Sequence, residues 1–232
     1  MPALAAPPAE AAGTAWFSLP GGAGRLQLWS QKAAYEPALG LLLVADAHLG
    51  KAVSFRRLGV PVPEATTDEA LQRLDALLAA TGARGIVFLG DLLHSARSHA
   101  AATLAAVQAW RACHPALALT LVRGNHDRQA GDPPAALGVA VVDGPLRLGP
   151  WALAHEPEAV DGAYTLAGHV HPGVVLSGRA HQRLRLPCFH FGAQVGVLPA
   201  FGPFTGLHVL PAEPRVQRYA VAGGQVRALP TR

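Results

Sequence analysis

Five short motifs carry most of the chemistry this sequence offers: Asp46-x-His48, Gly90-Asp91, Gly124-Asn125-His126-Asp127, His155 and Gly168-His169-x-His171. Carboxylate, amide oxygen and imidazole are hard or borderline donors, suited to Mn²⁺, Fe or Zn²⁺. Each motif alone has a plain structural reading. Asp-x-His can be a capped loop, Gly-Asp an Asx-turn, and a single histidine a hydrogen-bonded core residue. Together they set Asp, His, Asp, Asn, His, His and His after successive apolar runs, which argues for shared metal binding. In extended backbone, Asp46 and His48 would point the same way, as would His169 and His171. The two cysteines, Cys113 and Cys188, have no Cys-x-x-Cys spacing. A thiolate zinc site is therefore disfavoured, and both read as free, buried thiols.

The elements that must position these groups alternate along the first half of the chain. Arg25–Ser30 and Leu39–Asp46 read as strands, and residues 65–82 as a helix with Thr66 or Thr67 as cap and Leu71, Leu74, Leu77 and Leu78 on one face. Gly85–Asp91 is a strand, residues 98–115 a helix, and residues 116–125 a third strand of this series. Such alternation predicts buried, mainly parallel strands with their polar ends along one edge. After Pro133 the chain breaks into short strand candidates punctuated by glycine and proline, which predicts a second, mixed or antiparallel sheet. The whole reads as an α/β two-sheet sandwich with mixed sheets flanked by helices. Residues 1–24 read as a flexible N-terminal leader and 25–232 as a single domain.

Half of the 232 residues are hydrophobic and 15% are charged, enough for a large core. The formal charge of +4 permits a polyanionic partner without a Lys/Arg tail to demand one. No apolar run reaches membrane-spanning length, and the expected location is cytoplasmic.

The ordered motif set resembles that of the calcineurin-like metallophosphoesterases. The flanking stretches "ADAHLGK", "FRRLGVPVP", "LVRGNHDR", "LRLPCFHFG" and "VLPAFGPFTG" look like the bacterial DNA-ligase-associated members. "GDLLH" is similar to the nuclease branch of that superfamily, although His94 at its end receives no ligand role. The resemblance implies two divalent ions, with manganese favoured. Asp46, His48, Asp91 and His171 would hold one and Asp91, Asn125, His155 and His169 the other, with Asp91 between them. Two such ions opposite two carboxylates leave a positive centre that attracts phosphate and lowers the pKa of bound water. His126 would act as transition-state donor or general acid, His48 would engage phosphate-side chemistry besides metal, and Asp127 would orient His126 or fix the loop.

Further candidates are weaker. Arg56, Arg57, Arg123 and Arg128, with Lys51, could contact phosphate oxygens or form a solvated surface. Glu156 could support His155 or cap the Pro157 turn. Phe189, His190, Phe191, Phe201 and Phe204 could stack on bases or pack the core. The leading expectation is a DNA endonuclease acting in repair. The alternatives are a phosphodiesterase for small substrates such as cyclic nucleotides, and a repair interaction protein with a weakly active metal site. The resemblance implies as partners DNA, single-stranded or damaged, an ATP-dependent DNA ligase, a helicase and a metallo-β-lactamase-like exonuclease. No sequence feature fixes an oligomeric interface.

Overall fold

A computed structural model describes residues 12–57, 59, 66–93, 100–178 and 182–231, apart from the side chains of residues 53, 54 and 57. Among these residues sixteen strands build two sheets. In the first, β1 (Ala15–Ser18), β2 (Arg25–Trp29), β3 (Ala33–Glu36) and β4 (Leu41–Val44) form an antiparallel meander. From β4 the sheet continues in parallel through β5 (Gly85–Leu89), β6 (Ala118–Val122) and β7 (Val139–Val142). Parallel neighbours need crossovers. Helices α1 (Lys51–Arg57) and α2 (Thr66–Thr81) lie between β4 and β5, α3 (Ala101–Cys113) between β5 and β6, and α4 (Asn125–Ala130) between β6 and β7.

The period of two along each strand decides which core a side chain enters. Leu42, Val44, Ile86, Phe88, Leu119 and Leu121 pack with Leu71, Leu74, Leu77, Val107 and Trp110 of the helices. Their neighbours Leu43, Val87, Leu89 and Val122 face the second sheet, against Trp151, Leu153, Leu166, Phe189 and Phe191. That second sheet contains β8 (Leu146–Leu148), β9 (Trp151–Leu153), β10 (Tyr164–Ala167), β11 (Pro172–Ser177), β12 (Arg183–Phe191), β13 (Val195–Val197) and β14 (His208–Val209). The hairpin of β15 (Gln217–Ala222) and β16 (Gln225–Ala228) joins it through β12. Its central strands β9, β10 and β13 are mutually parallel, whereas β11, β12 and β15 are antiparallel. The α/β two-sheet sandwich with mixed sheets and flanking helices is therefore the observed fold.

Three expectations change. The proposed leader, whose residues 1–11 lie outside the described residues, contains β1. There Phe17 stacks on Phe191 at 3.9 Å between centroids, and the Arg25 guanidinium covers the Trp16 ring at 3.8 Å. Strand β7 belongs to the first sheet, because its short apolar run pairs in parallel with β6. Five further elements, α1, β3, α4, β15 and β16, add to those expected. Both cysteines are free, Cys113 exposed and Cys188 buried, and no described helix is long and apolar enough to cross a membrane.

Phe17→Ala tests whether β1 is part of the core. Loss of a buried phenylalanine should cost about 3–5 kcal/mol in urea unfolding, whereas truncation in a leader would leave stability unchanged.

Candidate metal centre

The motifs meet where β4, β5, β6, β9 and β10 end. The strands stop at Val44, Leu89, Val122, Leu153 and Ala167, and the polar residues follow within a few positions. Two overlapping groups result. Ligand atoms of Asp46, His48 and His171 lie within 4.8 Å of one another, as do those of Asp46, Asp91 and His155. Asn125 Oδ1 is 2.7 Å from His155 Nε2, and His169 Nδ1 is 3.0 Å from the same atom. All seven expected ligands therefore share one site. Asp46 belongs to both groups, and Asp91, which the resemblance assigns to both ions, belongs to the second.

The i, i+2 pairs do not arise from extended backbone. Asp46, His48, Asp91, His169 and His171 have φ of +50°, +46°, +51°, +68° and +52°. They make up five of the eight non-glycine residues with positive φ among those described. Asp, Asn and His tolerate this left-handed region better than most residues, but each still costs on the order of 1–3 kcal/mol unless its surroundings compensate. Hydrogen bonds between the loops hold them there. His48 N donates to Asp91 O at 2.8 Å, and His169 N donates to Asp46 Oδ2 at 2.9 Å. Gly202 N donates to Asp46 O at 3.0 Å.

Asp127 supplies the densest of these contacts. Its buried Oδ2 accepts from Asp91 N at 2.7 Å and Gly124 N at 2.9 Å, while Oδ1 accepts from Leu92 N at 3.0 Å and Leu93 N at 3.3 Å. Of its two expected roles, the geometry matches fixing the loop. The side chains of Asp91 and His155 also need space that glycine leaves open. A Cβ on Gly124 would strike the Asp91 carboxylate, and one on Gly90, itself at φ +78°, would strike the His155 ring.

These donors fit a cation. His155 Nδ1 lies 3.1 Å from the Leu89 carbonyl, which can only accept, so the ring proton belongs on Nδ1 and the lone pair on Nε2. This lone pair faces Asn125 Oδ1, and Asp91 Oδ1 at 3.6 Å. A backbone carbonyl that fixes the tautomer of a ligating histidine is a common arrangement at metal sites. Burial pushes the Asp91 carboxyl above its ordinary value; His155 opposes that shift and the Asp46 carboxylate adds to it. Two carboxylates enclosed this closely favour a positive charge between them.

The remaining candidates separate. His126 is partly exposed, with Nε2 4.0 Å from Asp91 Oδ2 and its ring edge-on to His48 at 5.3 Å. Lys51 is buried at the start of α1, and burial lowers its ammonium pKa, opposed by Asp46 and Asp91. Arg128 and Glu156 are exposed and line a recess of about 300 Å³ beside His155. Arg123 lines the same recess but is already paired, with both oxygens of Asp132 at 2.9 Å and with Asp143 at 2.6 Å, which raises its pKa. Arg56 is half-buried on α1. The side chain of Arg57 and all of His94 lie outside the described residues. Phe189, Phe191 and Phe201 are buried, His190 is half-buried on β12, and Phe204 is exposed. Sequence reading missed Lys32 and Arg73, which donate to the carbonyls of Gly202 at 3.2 Å and Phe201 at 2.9 Å. Their partners are backbone atoms, so no side-chain motif marks them.

The fold and this donor set define a calcineurin-like metallophosphoesterase. Searches against family models and curated proteins give no match. Among solved structures, the chain is similar to the Pseudomonas putida nuclease MPE, with 45% identity, a TM-score of 0.82 and coverage of 93% of this chain and 100% of that one. It therefore belongs to the bacterial DNA-ligase-associated metallophosphoesterase family. Yfce, a phosphoesterase from E. coli, aligns over 77% of this chain and 86% of its own at 16% identity, with a TM-score of 0.36.

Mn²⁺ at a hundredfold excess over its dissociation constant should stabilise the fold by about 2.7 kcal/mol, read by thermal unfolding with and without chelator. Asp127→Asn turns an amide NH₂ toward backbone N–H groups. It should destabilise the protein by about 3 kcal/mol and lower the metal content after dialysis. Full metal retention would show that the ligands do not depend on the Asp127 contacts.

Proposed function

We propose that this protein is a metal-dependent phosphodiesterase that cleaves DNA internally. The observation that carries this reading is the pair of overlapping groups, Asp46–His48–His171 and Asp46–Asp91–His155, in a chain 45% identical to a nuclease. Asp46, His48, Asp91 and His171 would hold one divalent ion and Asp91, Asn125, His155 and His169 the other, with manganese the ion that the family resemblance favours. When bound, two such ions supply positive charge to the phosphate oxygens and lower the pKa of water.

The protein's own groups then have separate tasks. His126 is the partly exposed imidazole at the edge of the buried set, with its backbone N–H on Asp91 Oδ1 at 3.0 Å. That contact fixes the residue while the partly exposed ring keeps Nε2 beside Asp91, where it can hold a proton for the departing oxygen. Asp127 acts on Asp91 through backbone amides and is a positioning residue. His48 is buried between His126 and His171, with ring centroids at 5.3 and 5.5 Å, which suits ligation. The recess beside His155 leaves room for substrate beyond the phosphorus, and Arg128 at its rim can meet a neighbouring phosphate. DNA repair alongside a ligase, a helicase and an exonuclease is the setting this reading adopts from the family.

Circular single-stranded DNA, linear single-stranded DNA, linear duplex and a cyclic nucleotide should be compared with Mn²⁺ present. Cleavage of the circle, abolished by Asp91→Ala, is the expected result; turnover of the cyclic nucleotide alone would overturn the DNA reading. His126→Ala should lower kcat by about 10²–10⁴ at unchanged metal content. Undiminished turnover would remove the proton-donor role.

A further inference from the structure

The loop from Gly202 to His208 is fastened to the metal centre at both ends. Gly202 N donates to Asp46 O at 3.0 Å, and His208 N donates to His171 O at 3.0 Å. The first end is held further by Lys32 Nζ on the Gly202 carbonyl at 3.2 Å and by Phe201 N on Ala45 O at 2.8 Å. Phe201 is fully buried in the core, yet Phe204, three residues on, turns out and is 45% exposed. Only four large hydrophobic residues among those described are exposed, and Phe204 is the aromatic one.

Its backbone is also unusual. Phe204 has φ of +54°, a conformation that is a genuine outlier for a bulky residue. Such conformations persist where surrounding contacts impose them, and they concentrate at ligand sites. Here the strained residue presents a ring to solvent. Phe55 of α1 meets that ring edge-on, with centroids 6.4 Å apart at 73°. Lys51 Nζ lies 5.6 Å from the Phe55 centroid, and Lys51 also feels the charges of Asp46 and Asp91. An aromatic pair, an ammonium group and the metal-binding carboxylates thus follow one another across this side of the site.

We propose that Phe204, backed by Phe55, is a nucleobase-stacking subsite for single-stranded nucleic acid on the Asp46–His171 side of the centre, an inference that rests on the nucleic-acid reading above. Every base has a π-face, so an aromatic ring accepts bases without regard to sequence, and a nearby cation tracks the backbone. A base flanking the scissile phosphate stacks on Phe204, which Phe55 backs and the buried Lys51 ammonium lies behind. The subsite selects unpaired strands, because a paired base cannot present its face.

The test uses the metal-loaded full chain with three substrates. They are a single-stranded oligonucleotide, the same strand made abasic on both sides of the cleaved phosphate, and methyl p-nitrophenyl phosphate. Phe204→Ala should raise KM for the oligonucleotide about tenfold and change turnover of the aryl diester by less than about twofold; Phe204→Trp should restore oligonucleotide KM. The abasic strand should lose the same factor with wild type and nothing further with Phe204→Ala. Equal losses on oligonucleotide and aryl diester, no loss on either, or independent losses from variant and abasic strand would each overturn the subsite. A wild-type protein that hydrolyses the aryl diester and leaves every oligonucleotide intact would instead overturn the nucleic-acid reading, and the subsite with it.

Discussion

Four backbone amides converge on the Asp127 carboxylate, and the geometry of the candidate metal centre follows from that contact. A carboxylate enclosed by protein is costly unless its oxygens are satisfied, and here both are. The same contact fixes the chain at Asp91, whose carbonyl receives the amide of His48. Through that bond the loop after β5 holds the loop after β4. The loop after β6 supplies the anchor itself. Asn125, His126 and Asp127 therefore divide three tasks within three consecutive residues: one side chain faces His155, one stands partly exposed beside Asp91, and one turns back into the protein.

The left-handed residues explain why so much hydrogen bonding is spent on short loops. A chain leaving a parallel sheet would continue outward; a left-handed residue reverses it within one or two positions and returns the side chain toward the strand end. Asp46, Asp91 and His169 do this after three different strands. Small residues at the crossings allow the reversals to pack, with Gly124 against Asp91 and Gly168 against Asp46. The conformational cost of the loops is offset by contacts among them, so disturbance of one should propagate to the others.

Much of this was legible in the sequence because residue type and strand-end position agree. The apolar runs at Leu41–Val44, Gly85–Leu89 and Ala118–Val122 are dense enough to read as buried strands, and the chemistry follows each directly. The paired spacing of Asp46 with His48 was legible, but its backbone cause was not, since extended and left-handed turns can both bring i and i+2 together. Strand β1 was hidden because its four residues gain their place from Phe191 and β2, far along the chain or across a turn. Helix α4 coincides with the motif itself, and its polar residues have no apolar period to announce a helix. The identity of Arg123 as an ion-pair residue depends on Asp132 and Asp143, which the fold brings to it.

That last point changes how a polyanion would be held. A formal charge of +4 is small, and one arginine expected to meet phosphate is already neutralised by two aspartates. Arg128 remains exposed at the recess on the His155 side. With few phosphate contacts the salt dependence of the proposed binding would be shallow, and affinity would have to come from groups that grip something other than charge. With two divalent ions bound the centre would attract one phosphate strongly, and its surroundings differ: a recess beside His155, and the exposed Phe204 on the loop that joins Asp46 to His171. A substrate that satisfies both extends in two directions from its phosphorus, as a diester within a strand does and a terminal phosphate does not.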